Sequence, residues 1–217
     1  MRMPTAFGVL LSAASLLLAS CGSTGTKSPT GAARMSSTGT SLAVAGGHSS
    51  LEGPTLSRPA PEPALELRNY TGQEVNLAAY RGKAVLLTFI YTHCHNECPL
   101  IAASLHQALS VLGARARHVQ IIGVTTDPQH DTPVAVRAFL AQHGMTGRMK
   151  YLIGSRVKLG PIWRRWHISA PNPNGQDVVG HTALVYGINA SGRIMTAYPA
   201  NFAPAEIVHD VPILARL

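Results

Sequence analysis

Two cysteines stand four residues apart in Cys94-His95-Asn96-Glu97-Cys98-Pro99. A β-prone run precedes them and a helical pattern follows, so they fall where a strand hands over to a helix. Free N–H groups and the positive end of the helix dipole stabilise a thiolate there and lower the cysteine pKa. Sulfurs at this spacing share one face of the first turn. They can close a disulfide, exchange it with a partner's thiols, or pinch a metal ion. A purely structural bridge is the weaker reading, because so short a loop constrains the unfolded chain little. Thiolates are soft ligands, and with an imidazole added they suit copper(I), and also zinc.

The chain has three cysteines, and the third explains the odd count. Arg2, the apolar run Phe7–Leu18 and then Leu18-Ala19-Ser20-Cys21-Gly22 read as a secretory signal. The run is too short to span a bilayer comfortably. Its last residues resemble a bacterial lipobox, in which the cysteine becomes the lipidated first residue of the mature chain. Cys21 is therefore expected to carry lipid, holding the protein to a membrane on the extracytoplasmic, periplasmic face. That leaves Cys94 and Cys98 as a pair in an oxidising compartment. The expected organisation is a signal peptide over residues 1–20, a lipidated Cys21 with a flexible Gly/Ser/Thr/Pro tether to residue 62, and one folded domain over 63–217.

The elements that must position the pair follow from periodicity. Leu65–Leu67 and Val75–Leu77 alternate around Thr71-Gly72 and predict a small hairpin. Ala84–Tyr91 is a continuous β-prone run, the mark of a buried central strand. Pro99 opens a helix that Gly113 stops. His118–Val124 predicts a second buried strand. The loop Asp127–Pro133 leads into a helix ending near His143-Gly144, with Thr132 or Asp131 as cap. A short strand is expected over Tyr151–Ile153, then a helix over Ser155–His167 kinked or split at Gly160-Pro161. Thr182–Ile188 and Arg193–Tyr198 predict a hairpin around Asn189–Gly192. Pro204 starts a last helix, interrupted near Pro212. This order predicts an α/β fold, thioredoxin-like, with a central mixed sheet flanked by helices. In such a sheet the loop before the penultimate strand lies beside the redox helix. His181 sits there, which makes it the best candidate for a third ligand.

Three segments together resemble the Sco/SenC family. Thr88–Pro99 resembles its CxxxCP segment, Thr125–Pro133 its DPxxDTP segment, and Gly180-His181-Thr182-Ala183 with Ser191-Gly192-Arg193 its histidine-bearing strand. They occur in order over roughly Leu65–Leu217. The resemblance implies a thioredoxin fold and copper, as Cu(I), Cu(II) or both, held by Cys94, Cys98 and His181. It implies delivery to the binuclear centre of cytochrome c oxidase, with the copper-receiving subunit or another copper chaperone as partner. Asp127 and Asp131 would organise the neighbouring loop. The family commonly has proline directly after the first cysteine. Here that residue is His95, and His93 precedes the pair, so both imidazoles are auxiliary ligand candidates.

The alternative is an enzyme, a thiol-disulfide oxidoreductase that reduces partner cysteines through Cys94 and Cys98 without needing His181. The CxxxC spacing, one residue longer than CxxC, favours metal. Read from turn chemistry alone, Asp127 and Asp131 are turn and cap residues. Trp163 and Trp166, at helical spacing, read as packing. His106, His118, His143, His167 and His209 have no mutual spacing that argues for a site. The net charge is +8, and Arg148, Lys150, Arg156, Lys158, Arg164 and Arg165 cluster without an acid among them. In an exported chain this reads as a solvated face or a docking surface for an acidic partner or anionic lipid, not a nucleic-acid patch. A tethered monomer is the simplest expectation.

Overall fold

The computed structural model describes residues 51–169 and 183–217. Eight strands form one mixed sheet. They are β1 (Thr55–Pro61), β2 (Glu66–Asn69), β3 (Glu74–Asn76), β4 (Ala84–Ile90), β5 (Val119–Thr125), β6 (Met149–Ile153), β7 (Leu184–Ile188) and β8 (Arg193–Pro199). Their order across the sheet is β1-β8-β7-β4-β5-β6-β2-β3. Among the described residues four α-helices flank it: α1 (Glu97–Leu112), α2 (Pro133–Gln142), α3 (Arg156–Arg165) and α4 (Pro204–Leu214).

β4 lies in the middle, parallel to β5 and antiparallel to β7. Every residue of β4 is buried, because both faces of the sheet are covered. Its side chains divide by alternation. Ala84, Leu86 and Ile90 join the core beneath α1, α2 and α4, whereas Val85, Leu87 and Phe89 join the core beneath α3. Gly123 in β5 allows a close approach on the first face, where an added Cβ would come within 3.0 Å of the Met149 sulfur and 3.2 Å of Ile90.

The expected helix and strand boundaries agree with the structure to within a few residues, but neither of the last two helices is split at its proline. α3 runs through Pro161 and α4 through Pro212. An internal proline costs a helix about 3 kcal/mol. Here Leu159, Ile162 and Trp163, all buried on one face of α3, hold both halves against the sheet. Ile207, Val211 and Leu214 do the same for α4. Burial of a large apolar side chain is worth about 1.5–3 kcal/mol, so three of them outweigh one proline. Trp163 and Trp166 are core residues, as expected, and the Trp163 indole N–H donates to the Thr125 carbonyl at 3.1 Å.

The expected tether ends too late. Thr55–Pro61 is a strand, paired antiparallel with β8. The segment before it is pinned by Asp210, a fully buried carboxyl group of α4. Asp210 accepts from the Glu52 and Gly53 amides at 2.8 and 2.9 Å and from the Tyr198 hydroxyl at 2.7 Å. The prolines at 59 and 61 hid this strand from a reading by composition, but an edge strand tolerates proline. Its Leu51 anchor is one apolar residue among small ones. Signal peptide, Cys21 and the tether to residue 50 lie outside the described residues. Among the described residues no helix is long and apolar enough to cross a membrane.

Removing β1 uncovers the β8 edge and strips two amide donors from a buried carboxyl group. A chain beginning at Pro63 is expected to be less stable than one beginning at Ala45 by about 2 kcal/mol or more, read from denaturant unfolding.

Candidate metal and thiol centre

β4 and β5 are parallel neighbours, so the loops leaving their C-terminal ends lie side by side. The first loop, 91–96, leads into α1 and carries Cys94. The second, 126–132, leads into α2. The Thr126 amide donates to the Ile90 carbonyl at 3.0 Å and continues the sheet contact past the strand ends. β7 starts beside the end of β4, with Val185 opposite Thr88.

Asp131 joins the two loops. Its carboxyl group is 3% exposed and accepts four hydrogen bonds. Two come from Thr92, by its amide at 2.8 Å and its hydroxyl at 2.7 Å. The others come from the Thr125 hydroxyl at 2.5 Å and the Tyr151 hydroxyl at 2.7 Å. Burial, then the charge of Asp131, raises the Tyr151 pKa well above its ordinary value, which keeps the phenol a donor. Thr132, not Asp131, caps α2, accepting from the Ala135 amide at 3.2 Å. Asp127 turns the loop on itself. Its carboxylate meets His130 Nδ1 at 2.7 Å, and its amide donates to the Thr125 hydroxyl at 3.0 Å.

Both cysteines are buried, and they are not joined in a disulfide. Cys98 is the second residue of α1 and Pro99 the third, so proline removes an N–H that would have no helical partner anyway. The Cys98 amide, another such orphan, donates to Cys94 Sγ at 3.3 Å. The pair is electrically unequal. The Cys98 S–H, the Cys98 and Asn96 amides and the Tyr91 hydroxyl all donate to Cys94, and together they overcome burial and lower its pKa to about 5. Cys98 moves the other way, because its proton is held against the Cys94 thiolate and burial opposes a second charge. Cys94 is thus the thiolate at neutral pH and Cys98 the thiol beside it. Glu97 Oε2 lies 3.9 Å from Cys94 Sγ, a contact that sets two negative charges together once Cys94 ionises and adds to the pull on a cation.

His93 and His95 are both exposed. His93 faces His130 across the two loops, ring centroids 5.4 Å apart. His181 lies outside the described residues. Among the described residues no group of three or more His, Cys, Asp or Glu is placed to hold a metal ion. The two sulfurs alone are a soft, partial donor set, in keeping with a monovalent soft cation completed by a further ligand.

The model of the SCO1/SenC family matches residues 55–216. The chain belongs to the SCO1/SenC family. The match begins at β1, in accord with the strand that composition had concealed. A SCO1 protein homolog of Bacillus subtilis (strain 168) is 26% identical over 156 residues, which cover 69% of this chain and 80% of the relative. The structure of Bradyrhizobium japonicum ScoI with copper bound is similar with a TM-score of 0.62 and 25% identity, over 71% of this chain and 99% of that one. BsSco, a member of the Sco family of cytochrome c oxidase assembly proteins with a disulfide switch, shares the fold with a TM-score of 0.63, 24% identity, and 75% and 98% coverage. The thioredoxin-like α/β architecture expected from the element order is the fold of these SCO1/SenC relatives.

Two results are expected from this geometry. Thiolate absorbance at 240 nm in the reduced protein should titrate with a midpoint near pH 5 and vanish in Cys94→Ser. The folded pKa lies below the ordinary 9.0, so the thiolate's contribution to stability is complete above the unfolded value, declines as pH falls, and is gone below the folded value. Asp131→Asn presents an amide N–H₂ to groups that are themselves donors. It should cost about 2–3 kcal/mol in denaturant unfolding.

Proposed function

We propose that this protein is a copper metallochaperone that holds one copper ion through Cys94, Cys98 and His181 and passes it to the copper-receiving subunit of cytochrome c oxidase. The observation that carries this reading is the thiolate–thiol pair at the head of α1, two buried sulfurs with the Cys98 amide donating to Cys94 Sγ at 3.3 Å. Two thiolate donors favour copper(I) over hard cations, and a related ScoI has been observed with copper bound. In sequence His181 stands three residues before Leu184, the first residue of β7, which pairs with β4. An imidazole from that segment would complete a three-coordinate site. Transfer would then proceed by ligand exchange, a partner's donors replacing these one at a time. Lipid on Cys21 would hold the domain at the periplasmic face of a membrane, where an oxidase presents its copper sites.

A second reading has its own support. The lowered pKa of Cys94 and raised pKa of Cys98 are the asymmetry of a nucleophile and a resolving thiol. Such a pair can reduce a partner's disulfide, in this family a partner at the oxidase. Only the metal reading needs His181.

The test is an anaerobic copper(I) titration of the reduced full chain beside Cys98→Ser and His181→Ala. One copper per chain is expected in the wild type. Each variant should bind more than about a hundredfold more weakly, since even outer-shell changes cost ten- to a hundredfold. Affinity indifferent to His181, with disulfide reduction of a model substrate intact, would leave the reductase as the function.

A further inference from the structure

Beside the cysteines lies a second constellation that the function above does not use. Thr92 and Asp131 are hydrogen-bonded across the two loops. Each has a histidine next to it in sequence, His93 and His130. The Thr92–Asp131 clamp therefore brings two imidazoles from separate loops to 5.4 Å between centroids, with rings 70° apart. Each ring also has one nitrogen engaged. His130 Nδ1 is 2.7 Å from Asp127 Oδ2. A carboxylate only accepts, so Nδ1 carries a proton, and in the neutral ring Nε2 offers the lone pair. His93 Nδ1 is 3.2 Å from Thr92 Oγ1. That hydroxyl already donates its one proton to Asp131 at 2.7 Å, so His93 Nδ1 is the donor here, and in the neutral ring its Nε2 too offers a lone pair. Both side chains are exposed.

We propose that His93 and His130 form a two-imidazole cation site at the mouth of the cysteine loop, suited to Cu(II). Neutral imidazole nitrogens suit copper and zinc, and Cu(II) binds such donors most tightly among the divalent first-row ions. A metal–nitrogen bond of about 2.0–2.1 Å puts each ring centroid roughly 3.2 Å from the metal, so two rings on one ion stand between about 4.5 Å apart for a right-angled pair and about 6.4 Å apart for an opposed pair. The observed separation of 5.4 Å falls within that span. The carboxylate of Asp127 behind His130 makes the Asp–His–metal arrangement that fixes a ligand's tautomer and raises its basicity. With two protein ligands and water in the remaining positions the site is exchangeable. A place for it as a way-station for copper bound for Cys94 and Cys98 rests on the metallochaperone reading. The binding itself does not.

Cu(II) titration of the full chain in a Cys94→Ser/Cys98→Ser background tests this, followed by paramagnetic resonance of the bound ion. One Cu(II) with at least two nitrogen ligands is expected. His93→Ala and His130→Ala should each weaken it at least tenfold, the double variant should cost little more than either alone, and Asp127→Asn should cost about tenfold through His130. His95→Ala, His106→Ala and His181→Ala should leave it unchanged. Circular dichroism of each variant confirms the fold. Cu(II) binding that survives His130→Ala, or that depends instead on His181 or His95, overturns the proposal. The copper(I) titration of the wild type is read separately. If it fails while the His93-dependent Cu(II) remains, the cargo reading falls and this site stands.

Discussion

The site depends on one buried carboxyl group. Asp131 gathers the backbone and hydroxyl of Thr92, the hydroxyl of Thr125 and the phenol of Tyr151, and so ties the loop after β4, the end of β5, the loop after β5 and β6 to one point. Four donors on one buried acceptor group leave it little reason to seek water, and an apolar replacement would leave those donors without partners. The cysteine loop has no side-chain cap from Asn96 at the start of α1. Its conformation is set from outside by Asp131 at Thr92 and from within by the Cys94 sulfur, which takes up the free Cys98 amide. The same clamp sets the spacing of His93 and His130. A soft, enclosed sulfur pair and an open imidazole pair are thus positioned by a single interaction.

That arrangement explains why so much of the fold was legible. Strands β4 and β5 are buried on both faces and read as continuous β-prone runs. The proline and glycine signals around α1, α2 and the β7–β8 hairpin are backbone requirements that few other residues meet. What sequence patterning misjudged was decided at long range. β1 is an edge strand of mixed polarity whose pairing with β8 and whose anchor at Asp210 lie more than a hundred residues away. The prolines in α3 and α4 break helices locally but sit in helices whose apolar faces are committed to the sheet. In each case tertiary burial outweighed a local preference.

The cysteine pair was legible from spacing and position, and the role of Asp131 was not. Residue type suggested a cap for α2, which Thr132 supplies instead. No local pattern says that a carboxyl group will reach a threonine 39 positions earlier. The pairing of His93 with His130 escaped for the same reason. Each histidine alone reads as an exposed loop residue, and only the parallel alignment of β4 with β5 makes their loops neighbours. The usable signal is the motif that brackets them: a threonine two residues before the first cysteine and an aspartate two residues before the second proline of the Asp127–Pro133 loop, each flanked by a histidine.

The lowered Cys94 pKa does not by itself separate a copper chaperone from a reductase, since a thiolate is both ligand and nucleophile. The partners of that thiolate bear on the choice. A nucleophile in disulfide exchange must reach a partner's sulfur, yet Cys94 is only 7% exposed and three of its stabilising donors, the Cys98 S–H and the Cys98 and Asn96 amides, come from within the CxxxC segment. A small cation can enter such an enclosure more readily than a polypeptide disulfide. On entering it can displace the Cys98 proton, turning the hydrogen bond between the sulfurs into two metal–sulfur bonds. That proton is held firmly in the metal-free site, so binding must release it, and copper affinity should rise with pH. Disulfide exchange through Cys94 would instead follow the thiolate fraction and be flat above its low pKa. The enclosure of the pair thus supports the proposed reading of metal as cargo over the proposed reading of thiol exchange.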